Sequence, residues 1–501
     1  MAMLNRAEWY DLARDTAWTP TFVREEDIFP PAMSDESGLS AEAWGEYDEP
    51  YKVSFRDYVK IQREKDIAAY AVKDGLARST YYETADPGWM SILKAHYGGV
   101  VGVEFGSAST QARMGRFGKA GGMRNMGLFG CLDEIRHTQI QLMFAHEHLT
   151  RGRDQEQFAW AQYGMKTNNW VNLAVRHTFE DIEHTRDAAA TAIMTSVFEV
   201  TFTNLQFVAL AADAAKSGDH VFANLIQSIQ SDEARHAQIG MEVMRLMIKN
   251  GKKDEVQRLV DISFWRNWRA FAPLTGLAMD YYTPLDRREH SFKEFMQEWV
   301  IAQFDRTIAD LGLERPWYWD IFIDELDWFV HGQHLGVWLL PDTVWWNPPA
   351  SVGPGERAWL EEKYPGWNAN FGRCWDMITE NLLKGDREKI KLEVFPLICH
   401  MCNLAITGIA GDKWKVRDHY LDFEGRRYHF GSEVDRWIFL QEPNRYKDYK
   451  NILDRYLDGT IDPPTNEGFL AYMGLADGAA GRDPHDYQWV EAHRVPVRRA
   501  V

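Results

Sequence analysis

The chain has 501 residues, 45% apolar and 26% charged, with Lys+Arg 56 against Asp+Glu 74 and a net charge of −18. That composition is globular and excludes wholesale disorder or a fibrous repeat; the acidic balance argues against nucleic acid or an anionic membrane surface as a partner. Four Cys cannot staple a chain of this length, which points to a reducing, cytoplasmic setting.

Residues 1–85 are mixed, polar and punctuated by Pro30-Pro31 and Glu49-Pro50, and read as an N-terminal extension with one helix over Phe55 to Leu76. The opening MAMLNRAEWYDLARD lacks the apolar run of a secretory signal. From 86 to 345, long helical windows dominate: Phe129–Leu149, Trp170–Ala190, Thr191–Lys216, Val221–Asn250, Asp254–Ala272 and Phe292–Leu313. Their apolar residues recur at three and four, and β-type alternation is scarce. The most apolar window, Thr191 to Ala212, carries Glu199 among Thr, Asn and Gln, and so reads as buried helix and not as a bilayer span. Gly251 and the stretch Pro273 to Thr283 punctuate the windows.

Residues 346–393 open with a break at Trp346-Asn-Pro-Pro and Gly353-Pro-Gly355, followed by a helix over Glu356–Lys363. Residues 394–450 change to short strands and turns, with Tyr420–Phe430 as a hairpin about Glu424-Gly425. Residues 451–501 form a helical tail that ends polar and basic. The 21 Trp read mainly as a large aromatic core, with the remainder as flat interface surface. No GxGxxG after a strand, no GxxxxGK[ST] and no four-Cys cluster is present, so electrons for any redox work must come from another protein.

One internal repeat carries chemistry. Asp133-Glu134-Ile-Arg136-His137 returns as Asp232-Glu233-Ala-Arg235-His236, each inside a helical window. Glu and His three apart share a helix face and can reach one metal ion. Two such pairs, each joined by a lone Glu from another helix, make the four-helix di-iron carboxylate site. The lone glutamates are Glu104, in HYGGVVGVEFGSAST, and Glu199, each the one formal charge in its apolar stretch. A carboxylate in an apolar helix costs several kcal/mol unless it is neutralised, paired or metal-bound. An oxygen-rich, two-histidine donor set suits iron or manganese better than zinc or copper.

Other ligand-like spacings lack a repeated partner. Asp181-Ile-Glu-His184 and His146-Glu-His148 read as surface or supporting groups. Cys399-His-Met-Cys402 is half a zinc knuckle whose second Cys pair is missing, and reads as a metal-free remnant.

With these motifs in place, the chain resembles the α subunits of soluble bacterial multicomponent di-iron monooxygenases, in the toluene, alkene and isoprene branch. The likeness runs nearly end to end, through LNRAEWYDLARDTAWTP (4–20), both DExRH strings, FTNLQFVALAADAA (202–215), WWNPPASVGPGERAWLEEKYPGW (345–367) and YHFGSEVDRW (428–437). It implies a mainly α fold: a ferritin-like helical bundle core over 86–345 and a small YHS-like α+β appendage over 394–450. It further implies that Glu104 and His137 bind one iron, Glu199 and His236 the other, and Glu134 and Glu233 bridge or shift. Asp133 and Asp232 would orient the histidines, with Arg136 and Arg235 as their ion-pair partners. Thr203 matches an active-site threonine tied to oxygen activation and proton delivery. Asn204 and Gln230 match residues that move when a small regulatory protein docks. The pocket would be lined by Val100, Val103, Ser107, Phe198 and Thr203.

The implied activity is insertion of one atom of O₂ into a small unsaturated hydrocarbon, aromatic or alkene. The implied partners are β and γ subunits in an (αβγ)2 assembly, a regulatory protein, a Rieske-type ferredoxin and an NADH reductase supplying electrons; nucleic acid and membrane are not among them. Departures from the family pattern at Val200-Thr-Phe-Thr203, Gly98-Gly99-Val100 and Gly106-Ser107 surround this pocket and leave the substrate open. The alternative is a ferritin-like protein that oxidises or stores iron without an organic substrate. It explains the ligands equally well, but not the length or the apolar helices around Thr203.

Overall fold

Ser54 starts the first long helix, α1 (Phe55–Leu76): its side chain accepts the Asp57 N–H, as an N-cap should. In this computed structural model, residues 5–475 are described apart from 15, 19, 29–31, 33, 152–157, 184–186, 340–342, 350, 385–395, 411–413 and 417–418. The basic end of the tail and His184 therefore lie outside the described residues. Asp86 caps α2 (Pro87–Phe117) through the N–H groups of Gly88 and Trp89, with Pro87 at the first helical position, where its missing N–H costs nothing. Val100, Val101 and Val103 are all buried, so this helix is apolar on every side and runs through the interior. Its main packing partner is α3 (Gly121–Arg151).

The next helices are α4 (Trp170–Glu183), α5 (Ala188–Thr201), α6 (His220–Lys249) and α7 (Lys253–Leu277). Three predicted windows are not continuous α-helix. Trp170–Ala190 spans the end of α4 at Glu183 and Asp187, whose extended backbone caps α5. The window from Thr191 to Lys216 leaves α-geometry after Thr201, passes through a π-helical turn at Leu205–Leu210 and resumes at Ala211–Lys216. Thr203 Oγ1 donates to the Glu199 carbonyl at 2.8 Å, and Asn204 Nδ2 donates to the carbonyls of Val200 and Thr201 at 3.1 Å each. These side chains compete with the backbone N–H groups for helix acceptors and mark where the regular ladder opens. Phe292–Leu313 likewise divides into Phe292–Phe295, a π-turn over Met296–Ile301 and Ala302–Leu311. Pro273, expected to interrupt, sits inside α7 instead. Phe271 and Ala272 before it and Leu277 one turn on are buried, so packing outweighs the lost hydrogen bond.

After α8 (Phe329–Leu339) and a helix over Pro354–Lys363, the strands appear: β1 (Gly408–Ala410) pairs antiparallel with β2 (Trp414–Val416), and β3 (His419–Phe423) with β4 (Arg426–Phe430). The second pair is the predicted hairpin. Its turn residues Glu424 and Gly425 have φ of 48° and 81°, the positive pair that a tight type I′ connection requires.

One apolar cluster runs from Ala13 to Leu475 and includes Ile398, Phe430 and Phe439 of the strand-bearing segment. Trp89, Trp265, Trp268, Trp338, Trp345, Trp367 and Trp375 are fully buried in the chain, whereas Trp299 and Trp317 are exposed. The stretch 188–216 is long and apolar enough to cross a membrane, but 83% of its most apolar window is buried within the fold.

Candidate metal centre

The two DExRH strings lie on α3 and α6, and the helical period turns Glu134 with His137, and Glu233 with His236, to one face of each. Glu104 arrives from α2 and Glu199 from α5. Six side chains from four helices thus converge, and all are buried. Two overlapping donor groups form: Glu104, Glu134, His137 and Glu233, and Glu134, Glu199, Glu233 and His236, each with its ligand atoms within 4.8 Å of one another. Glu134 and Glu233 belong to both groups. His137 Nδ1 is 2.9 Å from Glu233 Oε1 and 3.3 Å from Glu134 Oε2. His236 Nδ1 is 2.6 Å from Glu233 Oε2 and 3.1 Å from Glu134 Oε1.

The outer ring nitrogens face acids in a crossed arrangement. Asp232 Oδ2 lies 3.3 Å from His137 Nε2, and Asp133 Oδ2 lies 3.2 Å from His236 Nε2, so each string's Asp holds the other string's His. Arg235 binds both aspartates, at 2.6 Å from Asp232 Oδ1 and by a short contact to Asp133 Oδ2. Arg136 reaches Asp66 at 2.8 Å and Asp232 at 3.4 Å. The sequence reading missed the contribution of α1. Tyr58 and Gln62 donate to Asp133 Oδ1 at 2.8 and 2.9 Å, and Lys65 donates to Asp232 Oδ1 at 2.6 Å. Their signal was there: Tyr58, Gln62, Lys65 and Asp66 fall at helical spacing on one stripe. Gln141, one turn beyond His137, was also missed; it donates to Glu104 Oε1 at 2.6 Å and accepts from His96 at 2.9 Å.

The electrostatics say what belongs at the centre. Outside it, Asp133 and Asp232 are matched by Arg235, Arg136 and Lys65. Inside it, the four glutamates meet no Lys or Arg among the described residues. Burial pushes the Glu104 carboxyl up to about 8, against the pull of His137. Burial first, then the charge of Glu233, pushes Glu199 well above the usual carboxylate range. Burial alone would lower His137 and His236, yet the surrounding carboxylates, Glu233 foremost, hold both well above the ordinary imidazole range. Glu199 Oε2 is buried without a hydrogen-bond partner, and Glu134 Oε2 faces His137 Nδ1 at 3.3 Å, a nitrogen that also lies 2.9 Å from Glu233 Oε1. Buried charges so poorly matched are costly unless a cation takes them up. Two divalent ions would balance four carboxylates, and the oxygen-rich set with two imidazoles fits iron.

Asp232→Asn tests the crossed support. Removing this charge should loosen His137 and weaken iron retention by about 10- to 100-fold in a chelator competition. Unchanged retention would reduce Asp232 to an ion-pair partner of Arg235.

The remaining expected residues are not all together. Val100 and Val103 line an apolar cavity of ≈ 90 Å³ between α2, α4, α7 and α8. Ser107, Phe198 and Thr203 are not on its wall. Ser107 is buried further along α2, Thr203 is buried at the end of α5, and Phe198 stands behind the wall, stacked at 4.8 Å on Phe271, which does line it. The difference is one of height along the helix: Ser107 shares a stripe with Val100 and Glu104 but lies one turn beyond Glu104, and Thr203 lies one turn beyond Glu199, whereas Val100 and Val103 precede Glu104. Asn204 is half-buried and donates to Gln303 Oε1 at 3.4 Å, and Gln230 is exposed on α6. His146 and His148 are buried and not on the surface; His148 stacks on Phe158 at 4.3 Å. Cys399 and Cys402 are buried and meet Asp435, the three ligand atoms lying within 4.8 Å.

Comparison with known proteins agrees with this geometry. The model of the methane/phenol/alkene hydroxylase family matches residues 18–251. The chain is 42% identical to the α subunit of the oxygenase component of the alkene monooxygenase system of Xanthobacter autotrophicus (strain ATCC BAA-1158 / Py2), over 98% of both chains. It is 29% identical to the oxygenase component of phenol 2-monooxygenase from Pseudomonas sp. (strain CF600), over 87% of this chain and 83% of that one. Its fold matches the crystal structure of phenol hydroxylase from Pseudomonas sp. OX1 with a TM-score of 0.78 and 24% identity, covering 95% and 96% of the two chains. A mainly helical fold, a buried two-metal donor set built on a repeated motif, and similarity along the whole chain place this protein in the methane/phenol/alkene hydroxylase family, as the oxygenase α subunit of a di-iron monooxygenase.

Proposed function

We propose that this chain inserts one atom of O₂ into a small alkene, and that the apolar cavity bordered by Val100 and Val103 is where the hydrocarbon sits. The observation that carries the reading is this cavity: its wall on α2 runs from Ile92 to Val103, the residue before Glu104, and its lining is almost wholly aliphatic and aromatic. A protein that merely stores iron needs no enclosed apolar space beside its metal ligands. The 42% identity to a protein named for alkenes supports an alkene over an aromatic substrate.

Bound iron would supply the chemistry of O₂ activation, taking two electrons from partner proteins. Glu104 and His137 would hold one ion and Glu199 and His236 the other, with Glu134 and Glu233, which belong to both donor groups, serving either. Asp133 and Asp232 fix the outward ring nitrogens, which leaves the inward ones free to ligate. Thr203 offers a hydroxyl one turn from Glu199 and can hold a proton there once its bond to the Glu199 carbonyl is released. The indole walls of Trp345 and Trp346 keep water from the cavity. Asn204 and Gln230, near the π-helical turn and on α6, form the face that a regulatory protein would engage. The redox partners are a Rieske-type ferredoxin and an NADH reductase, and the assembly is (αβγ)2 in the cytoplasm.

The experiment is product analysis in cells expressing the chain with its neighbouring genes, fed toluene and isoprene together under ¹⁸O₂. Labelled epoxide as the main product is expected. Labelled cresols would make the protein an aromatic hydroxylase. Oxygen uptake with neither product would overturn the substrate class.

A further inference from the structure

A row of oxidisable rings runs in contact from the cavity wall to the surface of the chain. Trp345 and Trp346 line the cavity, their ring centres 4.9 Å apart. Trp345 stacks on Trp160 at 5.1 Å with 16° between the planes, and Trp160 meets Tyr163 edge-on at 5.1 Å. Trp345 and Trp160 are buried, whereas Tyr163, at the end of the short helix Trp160–Tyr163, is 43% exposed. Two glycines make room for the stack: a Cβ on Gly98 of α2 would run into both indoles, and one on Gly164 into Trp160. Gly98 precedes Glu104 on the same helix by about 9 Å of rise, so the inner end of the row is a short electron-transfer step from the metal ligands. A second row, from Trp346 to Tyr282 and on to Tyr281, Trp367 and Trp375, stays buried among the described residues.

Hydrogen bonding sets what an electron vacancy does on the first row. Trp345 Nε1 donates to the Lys94 carbonyl at 2.8 Å and Trp160 Nε1 to Asn172 Oδ1 at 3.0 Å. Both acceptors are amide oxygens, too weakly basic to take the proton of an oxidised indole. The indole keeps its proton and passes the vacancy on. Tyr163, at the surface, can lose its phenol proton to water as it is oxidised, which makes it the resting place. We propose that Trp345, Trp160 and Tyr163 form an outlet that carries oxidising equivalents to the surface when O₂ has been activated and no hydrocarbon is there to receive oxygen. In each pass one electron moves inward from Tyr163 through Trp160 and Trp345 to the centre, and the phenol proton leaves to solvent. Two passes, with two protons from solvent, reduce the unused oxygen atom to water. Two molecules of a small thiol then return Tyr163 to its phenol and end as one disulfide. The outlet does not depend on which hydrocarbon the enzyme takes.

The test uses the assembled hydroxylase with its partner proteins, turning over on O₂ with no hydrocarbon and no thiol, and compares wild type with Tyr163→Phe, Tyr163→Trp and Trp160→Phe. Freeze-quenched wild-type samples should show a tyrosyl radical by electron paramagnetic resonance, and peptide mass maps should place added oxygen on Tyr163. Tyr163→Phe should lose the tyrosyl signal, shift the added oxygen inward to Trp160 and Trp345, and inactivate sooner than wild type. Trp160→Phe interrupts the row and should lose the signal and the modification at Tyr163 although that residue is unchanged. Tyr163→Trp restores an oxidisable ring at the surface and should return inactivation to the wild-type rate, a rescue that a merely structural role for Tyr163 does not give. The inference is overturned if wild-type Tyr163 shows neither radical nor added oxygen, or if Phe and Trp at position 163 inactivate alike. No hydrocarbon enters the test, so its outcome is read separately from the ¹⁸O product analysis.

Discussion

Glu199→Ala is expected to release iron from the site and abolish activity in the same preparation. Glu199 is the sole carboxylate that α5 offers to the centre, and its Oε2 is buried with no hydrogen-bond partner. The cost of burying it is borne in the folded protein, and burial raises its pKa accordingly. Only a cation at that position turns this cost into binding energy. Two opposite effects are therefore expected from one substitution. Metal-free Glu199→Ala should unfold at a denaturant midpoint no lower than that of the metal-free parent, because an uncompensated buried carboxyl is gone and the cavity left is small. Iron content measured on the same sample should fall, and oxygenase activity with it. Full activity with full iron would remove Glu199 from the ligand set. Loss of stability in the metal-free form would make it a structural residue instead.

Gly240→Val should be the most damaging single change in the bundle that does not touch a donor. A Cβ on Gly240 of α6 would run into the Ala192 carbonyl of α5 and into Ser196 Cβ beside it. The obstacle is backbone, which cannot rotate away, so the two helices must separate. They carry Glu199 on one side and Glu233 with His236 on the other. Destabilisation of about 3 kcal/mol is expected, at the upper end of overpacking costs. Iron affinity should fall too, although no ligand has changed. Urea unfolding with parallel metal analysis measures both. A variant that unfolds at the wild-type midpoint would show that α5 and α6 can part without penalty, contrary to the packing seen here.

Much of the centre was legible because its chemistry demands rare patterns. A Glu and a His three apart, repeated in the same local string, and single charges in long apolar runs have few other uses. The fold class followed from the same helical periodicity, and the hairpin at Glu424-Gly425 from turn chemistry. What could not be read was of another kind. The helix windows carried no sign that Thr203 and Asn204 would draw on the carbonyls of Glu199, Val200 and Thr201 and open a π-turn. Pro273 looked like a stop because the burial of its neighbours lies in other segments. Among the expected pocket residues, Val100 and Val103 reached the cavity wall while Ser107, Phe198 and Thr203 did not, since a rise of one helical turn carries Ser107 past the cavity and Phe198 stacks behind Phe271.

Local sequence, then, was enough to pick out the Glu and His side chains that converge, the helices that bear them and the family, because each rests on residue type and spacing within a turn or two. Pairing between distant segments was decided only by the tertiary structure. It set Asp133 against His236 and Asp232 against His137, and brought Tyr58, Gln62 and Lys65 of α1 onto those acids. Those relations depend on how whole helices pack, which is a sum over many weak contacts spread along the chain and is written in no single motif.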